Sequence, residues 1–542
     1  MKTEKELKKM ISQMSSAEKA GQLFFLAFPG KDAEIIRPLI EKYGICGCYM
    51  SQDNADTFEE ADEVTSALQS MSKIPLLLGV DQEGAWSVVV PESHTGPGNL
   101  ALGALRKSKD VARAYEMLGS EMLSAGYNAI LGPCADVNSD PSSPIIGTRS
   151  FGEFPERVSD CVKAGVMGAK KAKSISCLKH FPGHGATSGD THREIPVVDE
   201  PLSELFKRDL APFSAGIKAG CPMVMTSHIR YPQIDPDHPA TLSKTILIDV
   251  LRKMLGFKGV ILSDSMNMGA IRKQYDAAES TLLALQAGVD VIMLAEEHYD
   301  HNTGGYLEKQ IQSIELVRKA IDSGILSQKD VDEKLLRILS MKYNQMQIRR
   351  DRLSGSEYKA YAALEHEIAG DAICLVQKNC WPLPETGPIL CVNATPRTSY
   401  ANMVNSRGIG PNQAKPAYDT LKEKLPQDGT IQFFDYEERD EAAAAMKKAA
   451  AILLVTEDYP LPGEDFEKSA QQAYVKKIAK QYPKKVILVG LRSSYELNDY
   501  PENVTYICAN SSRTCSAAAM ADLLLSRGKT KIQGVLPVST RF

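Results

Sequence analysis

The sequence predicts an α/β protein, a closed (β/α)8 barrel of the TIM type followed by a smaller α/β sheet domain. Three observations carry this expectation. Up to about residue 345, short β-rich apolar runs alternate with helical patterns, and eight such units follow one another. Several runs are almost continuously apolar, as strands covered on both faces are. Polar residues with chemical potential recur at the C-terminal ends of the runs, and in a barrel those ends share one face.

The elements follow in order. The opening segment, MKTEKELKKM, is charged and reads as a helix start. The first strand candidates are 21–28 (GQLFFLAF) and 45–50 (ICGCYM), and a helical pattern over 57–72 follows. The run 76–81 (LLLGVD) ends on Asp81, ahead of Gln82 and Glu83. A helical pattern over 111–125 precedes 129–137 (AILGPCADV), which ends on Asp136, Val137 and Asn138. The run 175–180 (ISCLKH) ends on Lys179 and His180. Helical 203–219 leads to 223–228 (MVMTSH), and helical 244–255 leads to 260–264 (VILSD), which ends on Ser263 and Asp264. The run 291–294 (VIML) completes eight. A long helical pattern over 331–347 and the charged Arg349-Arg350-Asp351-Arg352 mark the connection. The expected division is a barrel over 1–348, a connecting helix over 349–370 and a second domain over 371–542. The second domain has strand candidates at 373–376, 389–392, 431–434, 451–455, 486–491 and 504–508, with helices at 439–450 and 469–481 between them.

Composition narrows the function. The chain has 542 residues, 43% hydrophobic and 24% charged, the balance of a globular protein of two or three domains. A net charge of -5 and no Lys/Arg run argue against a nucleic-acid partner. No stretch approaches the roughly 18 apolar residues of a membrane span, and the N-terminus lacks the apolar core of a signal peptide, which points to the cytoplasm. The 11 cysteines are irregularly spaced and several lie in apolar runs, as in ICGC and ICL, so they read as small core residues, not a disulfide framework. No paired CxxC exists, and Pro182 and Gly183 between His180 and His184 break the helix that a zinc motif of that spacing needs. Neither a metal nor a cofactor is expected. Oligomeric state is not legible.

The stretch Lys179-His180-Phe181-Pro182-Gly183-His184-Gly185, with Asp190-Thr191-His192 beyond it, carries three of the nine histidines in a glycine-rich loop after a buried run. Asp190 and His192 stand two apart, a spacing at which a carboxylate orients an imidazole for general acid/base work. Asp264 is a strand-end carboxylate suited to act as nucleophile or base, or equally as an N-cap for the next helix. Asp81, Glu83 and Asp136 are further candidate acids and bases. Lys179, His180 and Arg149 supply donors for a polyhydroxylated or anionic ligand, and Asp81 can accept two hydroxyl hydrogen bonds.

Together, KHFPGHG with D-x-H beyond it, DQEG, PCADVN, PIIGTRSFG, MVMTSHI, PATLSK and GFKGVILSDSMNMGAI resemble bacterial β-N-acetylglucosaminidases of glycoside hydrolase family 3, above all the two-domain NagZ-like members of Gram-positive bacteria. Matching motifs run from about residue 75 to 300, and the second domain matches only weakly. The resemblance implies that Asp264 is the nucleophile of a retaining mechanism and that His192, oriented by Asp190, is the general acid/base. It implies that Asp81, Arg149, Lys179 and His180 hold the terminal sugar and that His228 and Met268 line the site. The substrate would be a small oligosaccharide or glycopeptide with terminal GlcNAc, from muropeptide or chitin-type material. An imidazole that has given up its proton is neutral and does not repel an anion, so phosphate is a conceivable acceptor beside water.

The sequence also departs from the family. Where Gly-Arg-Val and a further Arg usually follow DQEG, Ala85-Trp86-Ser87-Val88-Val89 stands here, GHGDT reads Gly183-His184-Gly185-Ala186-Thr187, and Phe154 replaces an Asp. Two cations near the sugar are missing, and Trp86 is a candidate to stack on a sugar face. The alternatives that remain are another family 3 exo-β-glycosidase or phosphorylase with altered sugar specificity, and a catalytically dead sugar-binding protein.

Overall fold

The computed structural model describes residues 1–84, 88–141, 143, 145–187, 195–295, 305–400, 413, 415–457, 468–502 and 504–540. Eight parallel strands close into a barrel in chain order. They are β1 (Phe24–Leu26), β2 (Gly47–Met50), β3 (Leu77–Val80), β4 (Ala129–Ile130), β5 (Ile175–Phe181), β6 (Met223–Thr226), β7 (Val260–Ser265) and β8 (Val291–Leu294). Closure runs through β1 and β8, where Phe24, Phe25 and Leu26 face Ile292, Met293 and Leu294. All strand residues but one are buried, so apolar runs with helices outside are what the sequence needs. The exception is Asp264, which is half-buried at the end of β7.

Every barrel strand lies inside its expected run or within one residue of it, though most are shorter. β1 begins late because Gly21 ends a helix, Ser16–Gly21, in which Ser15 forms a capping box with Glu18. A side chain at Gly21 would run into the Tyr43 carbonyl. β4 stops after two residues, where the Gly132 N–H turns back to the Ile130 carbonyl at 2.9 Å and Pro133 follows with no N–H for the ladder. The chain continues beside β5 through Ala135 N–H to the Lys179 carbonyl, at 2.7 Å. Two strands lose register at the mouth, β5 between Leu178 and Phe181 and β7 between Leu262 and Ser265. Such irregularities re-aim side chains. Here they fall at Lys179–His180 and at Ser263–Asp264.

The helix Gly355–Asp371, started by a capping box between Ser354 and Glu357, leads into the second domain. Its strands are β9 (Cys374–Val376), β10 (Ile389–Asn393), β11 (Ile431–Phe434), β12 (Ala451–Thr456), β13 (Val486–Gly490) and β14 (Thr505–Cys508). They form one sheet in the order β11-β10-β12-β13-β14-β9, parallel except for β9. Alternation sends Ile389 and Cys391 into one core and Leu390 and Val392 into the other, so both faces are covered. Among the described residues, no helix is long and apolar enough to cross a membrane.

Candidate active site

Asp81 follows β3 directly and meets two neighbouring strands. The Tyr49 hydroxyl of β2 donates to its Oδ2 at 3.0 Å, and Lys179 Nζ of β5 donates to its Oδ1 at 2.5 Å. Lys179 also reaches Glu83 Oε1 at 2.5 Å. Arg149, from the loop after β4, grips the same Glu83 carboxylate with two parallel bonds of 2.8 Å. Two carboxylates and two cations therefore balance. Lys179 and Glu83 side chains are 1% and 3% exposed, whereas Asp81 is 25% exposed and opens towards the mouth.

The charges in this cluster fix each other. Burial alone would raise the Glu83 pKa, but Arg149 and Lys179 outweigh it and hold the carboxyl far below its ordinary value. Burial would likewise discharge Lys179, but Asp81 and Glu83 keep its pKa above normal. Arg149 is held charged against burial by Glu83.

His180 is ordered from behind by Asp136, which is fully buried. Asp136 Oδ2 lies 2.8 Å from His180 Nδ1, and both carboxylate oxygens receive the His180 backbone N–H at 3.2 Å. Oδ1 also accepts the His184 N–H at 2.7 Å, and the Cys134 thiol donates to Oδ2 at 3.1 Å. Burial works against the ionised form, yet His180 and His184 bring the Asp136 pKa below normal. An ionised carboxylate only accepts, so the His180 proton sits on Nδ1 and Nε2 is turned towards Arg149 Nη2, 3.4 Å away. Asp136 is thus a support under the site, although the sequence made it a candidate acid or base. His184 is buried with Nδ1 2.8 Å from the Thr187 hydroxyl, and burial together with His180 pushes its pKa down to about 4.

Cys134, Asp136 and His180 offer three ligand atoms within 4.8 Å of one another. The donor set does not suit a cation. Burial pushes the Cys134 thiol well up, so it keeps its proton and donates a hydrogen bond to Asp136. The carboxylate's lone pairs are already engaged by protein donors.

Asp264 precedes a turn, not a helix. The next helix begins at Gly269 with Met268 as its N-cap residue, so Asp264 is not the cap that the sequence left open. Its Oδ1 accepts the Ser265 N–H at 2.8 Å. Its own N–H points at Thr226 Oγ1, 3.4 Å away, and Thr226 is linked to Thr241 at 2.7 Å. His228 is fully buried between Thr241 Oγ1 and the Ser265 carbonyl, both at 2.9 Å. It braces the turn after Asp264 from below. Met268 is nearly buried and donates its N–H to the Ser265 carbonyl. Asp190, His192 and Trp86 lie outside the described residues.

Three residues of this site were given no role by sequence reasoning. Tyr49 stands at the end of a strand next to β3, a position that marks it as a partner for Asp81. His184 belongs to the histidine loop but faces inward. Asp209, in a helix start remote in sequence, packs under that loop. A Cβ on Gly183 would lie 2.7 Å from Asp209 Cβ, and at φ +143 the position suits only glycine.

Residues 12–341 match the Glycosyl hydrolase family 3 N-terminal domain. The chain belongs to glycosyl hydrolase family 3. It is 32% identical over 326 residues to a β-hexosaminidase A of Pseudoalteromonas piscicida, covering 56% of this chain and 54% of that protein. The chain thus spans about half the length of that relative. It is 34% identical over 258 residues to a β-hexosaminidase of Xylella fastidiosa strain 9a5c, covering 46% of this chain and 76% of the relative. A solved structure similar to both domains together is a family 3 β-N-acetylglucosaminidase from Paenibacillus sp. str. FPU-7. It has a TM-score of 0.83 and 26% identity, and the match covers 97% of this chain and 99% of that one.

Proposed function

We propose that this family 3 protein is a retaining exo-β-N-acetylglucosaminidase that removes terminal GlcNAc from muropeptide or chitin-type fragments. The observation that carries the reading is the barrel mouth itself. A strand-end carboxylate, Asp264, shares it with a buried, charge-balanced cluster in which Asp81 keeps acceptor capacity towards solvent. The names of the hexosaminidase relatives and of the similar solved enzyme support the same sugar class.

In this reading Asp81 accepts hydroxyl protons of the terminal sugar and His180 Nε2 meets another hydroxyl. Lys179, Arg149 and Glu83 hold these groups in place and keep the pocket neutral. Asp264 attacks the anomeric carbon while His192, oriented by Asp190, gives its proton to the departing oxygen. A glycosyl-aspartate forms. Water then loses a proton to His192 and attacks the same carbon, which frees Asp264 and releases the sugar with its original configuration. A neutral imidazole also lets phosphate compete with water in the second step.

The mechanism is tested by following the anomer released first from a β-N-acetylglucosaminide by proton NMR. The β-anomer is expected, and its yield should collapse in Asp264→Asn. Initial release of the α-anomer would refute retention. An active Asp264→Asn would remove Asp264 from the nucleophile's role.

A further inference from the structure

We infer that the connecting helix and the second domain together position the sugar-holding cluster, by pinning from outside the barrel the two loops that bring Glu83 and Arg149 together. The inference rests on the reading of Asp81 and His180 as sugar-holding residues that Lys179, Arg149 and Glu83 keep in place.

The first pin acts on the loop after β3. The loop is tied to itself by Gln82, which donates to Ser93 Oγ at 2.9 Å and accepts the Val89 N–H at 3.0 Å. Its far end is held by Glu365 of the connecting helix. One carboxylate oxygen, Oε1, accepts the backbone N–H groups of Thr95 and Gly96 at 2.9 and 2.8 Å, and the Thr95 hydroxyl at 3.3 Å. Arg513, beyond β14, adds a bond from Nε to Thr95 Oγ1 at 3.1 Å. The pin reaches Glu83 by contact. Gly84 lies so close to Thr95 that an added Cβ would be 2.7 Å from the Thr95 carbonyl oxygen, and Gly84 has φ +80. Moving Thr95 therefore moves Gly84, and with it Glu83.

The second pin acts on the loop after β4. Inside the barrel domain, Asn138 Oδ1 accepts the Gly147 N–H at 3.0 Å, and Asn99 donates to the Arg149 carbonyl at 2.7 Å. From the second domain, the C-terminal tail crosses this loop. Glu153 N–H donates to the Pro537 carbonyl at 3.0 Å, and Ser539 N–H returns a bond to Glu153 Oε2 at 2.7 Å. Gly152 is pressed on Pro537, where a Cβ would be 2.2 Å from the carbonyl oxygen.

The Glu83–Arg149 pair thus bridges two loops, one fastened to Glu365 of the connecting helix and Arg513 of the second domain, the other to the second domain's tail. A buried bidentate pair tolerates little displacement, and an error of about 1 Å at a positioned group costs orders of magnitude in rate or affinity. Glu365 and Arg513 touch neither substrate nor reacting atoms. They are positioning residues.

The test uses the full chain with Glu365→Ala, Glu365→Gln and Arg513→Met. Two readouts are taken, steady-state kinetics on p-nitrophenyl β-GlcNAc and amide hydrogen exchange over 88–98. Glu365→Ala should raise KM about tenfold with kcat within about threefold, and should speed exchange over 88–98. Glu365→Gln keeps an acceptor oxygen and should stay close to the wild type in both. Arg513→Met should shift both in the same direction by a smaller factor, and it carries the test if Glu365→Ala does not fold. Unchanged KM and exchange in Glu365→Ala, or in Arg513→Met when that variant stands in, would overturn the inference. So would equal damage from Ala and Gln. A wild type inactive on any N-acetylglucosaminide would remove the sugar reading alone, and the exchange over 88–98 would still decide the pinning.

Discussion

Asp209→Asn should make the protein more stable near neutral pH, and the gain should vanish in acid. Asp209 is buried beneath the histidine loop. Its Oδ2 takes Arg208 Nε at 3.0 Å and Nη2 at 2.9 Å, while Oδ1 has no hydrogen-bond donor among the described residues. Burial is the main force on its proton and outweighs Arg208, with Glu200 and Asp136 adding repulsion. The pKa is pushed from 3.8 up to about 6. The folded state therefore binds the proton more tightly than the unfolded chain. The stability this contributes is full below pH 3.8 and is lost as pH rises through about 6. A displacement of about two pH units corresponds to about 3 kcal/mol. Asn cannot titrate, so the stability difference between variant and wild type should grow by about 3 kcal/mol from pH 3.5 to pH 7. Urea unfolding of both proteins at four or five pH values measures it. A difference that stays flat, or one that grows towards acid, would refute the reasoning.

Three other perturbations probe the same network. Glu83→Gln leaves Lys179 and Arg149 buried with only Asp81 against them, so it should destabilise by about 3–5 kcal/mol in chemical unfolding; no change would show that the cluster is not charge-coupled. Asp136→Asn turns an amide NH2 towards donors that need an acceptor, at about 1–3 kcal/mol for each donor left unsatisfied. Its unfolding midpoint should fall, and the Nδ1 tautomer of His180 should be lost in nitrogen-detected NMR; a retained tautomer would contradict the role given to Asp136. His184, with its pKa lowered to about 4, should keep the NMR shifts of a neutral imidazole down to about pH 5. Because the unfolded chain takes up that proton first, the stability tied to His184 is present above pH 6.5 and is lost as pH falls towards 4. Titration of the ring near 6.5 in the folded protein would contradict this.

The barrel was legible because its strands need two covered faces, and β5 and β7 carry that requirement as plain apolar runs, ISCL and VIL. Strand ends were less legible. β4 stopped short ahead of Pro133, and the helix Ser16–Gly21 took the start of the first run. The mouth residues were found because Asp81, Lys179, His180 and Asp264 all end apolar runs. What sequence did not convey was pairing. It offered Arg149 and Lys179 as donors for a ligand, whereas both are engaged by Glu83 and Asp81 across loops more than sixty residues apart. Nor did it convey depth: His228 and Asp136 stand at the ends of expected runs like the others, yet both lie beyond the strands, are fully buried and act through neighbours. Glu365 and Arg513 carry no local signal at all, since their partners arise only when the connecting helix and the second domain dock on the barrel.

The central claim, that the barrel mouth is built for a terminal N-acetylglucosaminide and works through Asp264, is tested most directly by one comparison. Initial rates on the p-nitrophenyl β-glycosides of GlcNAc and glucose are measured side by side in phosphate-free buffer, with Asp264→Asn as the blank. The account predicts a strong preference for GlcNAc that disappears in the variant, since loss of a nucleophile removes the covalent route. A preference for glucose, or no turnover of either glycoside by the wild type, would contradict it.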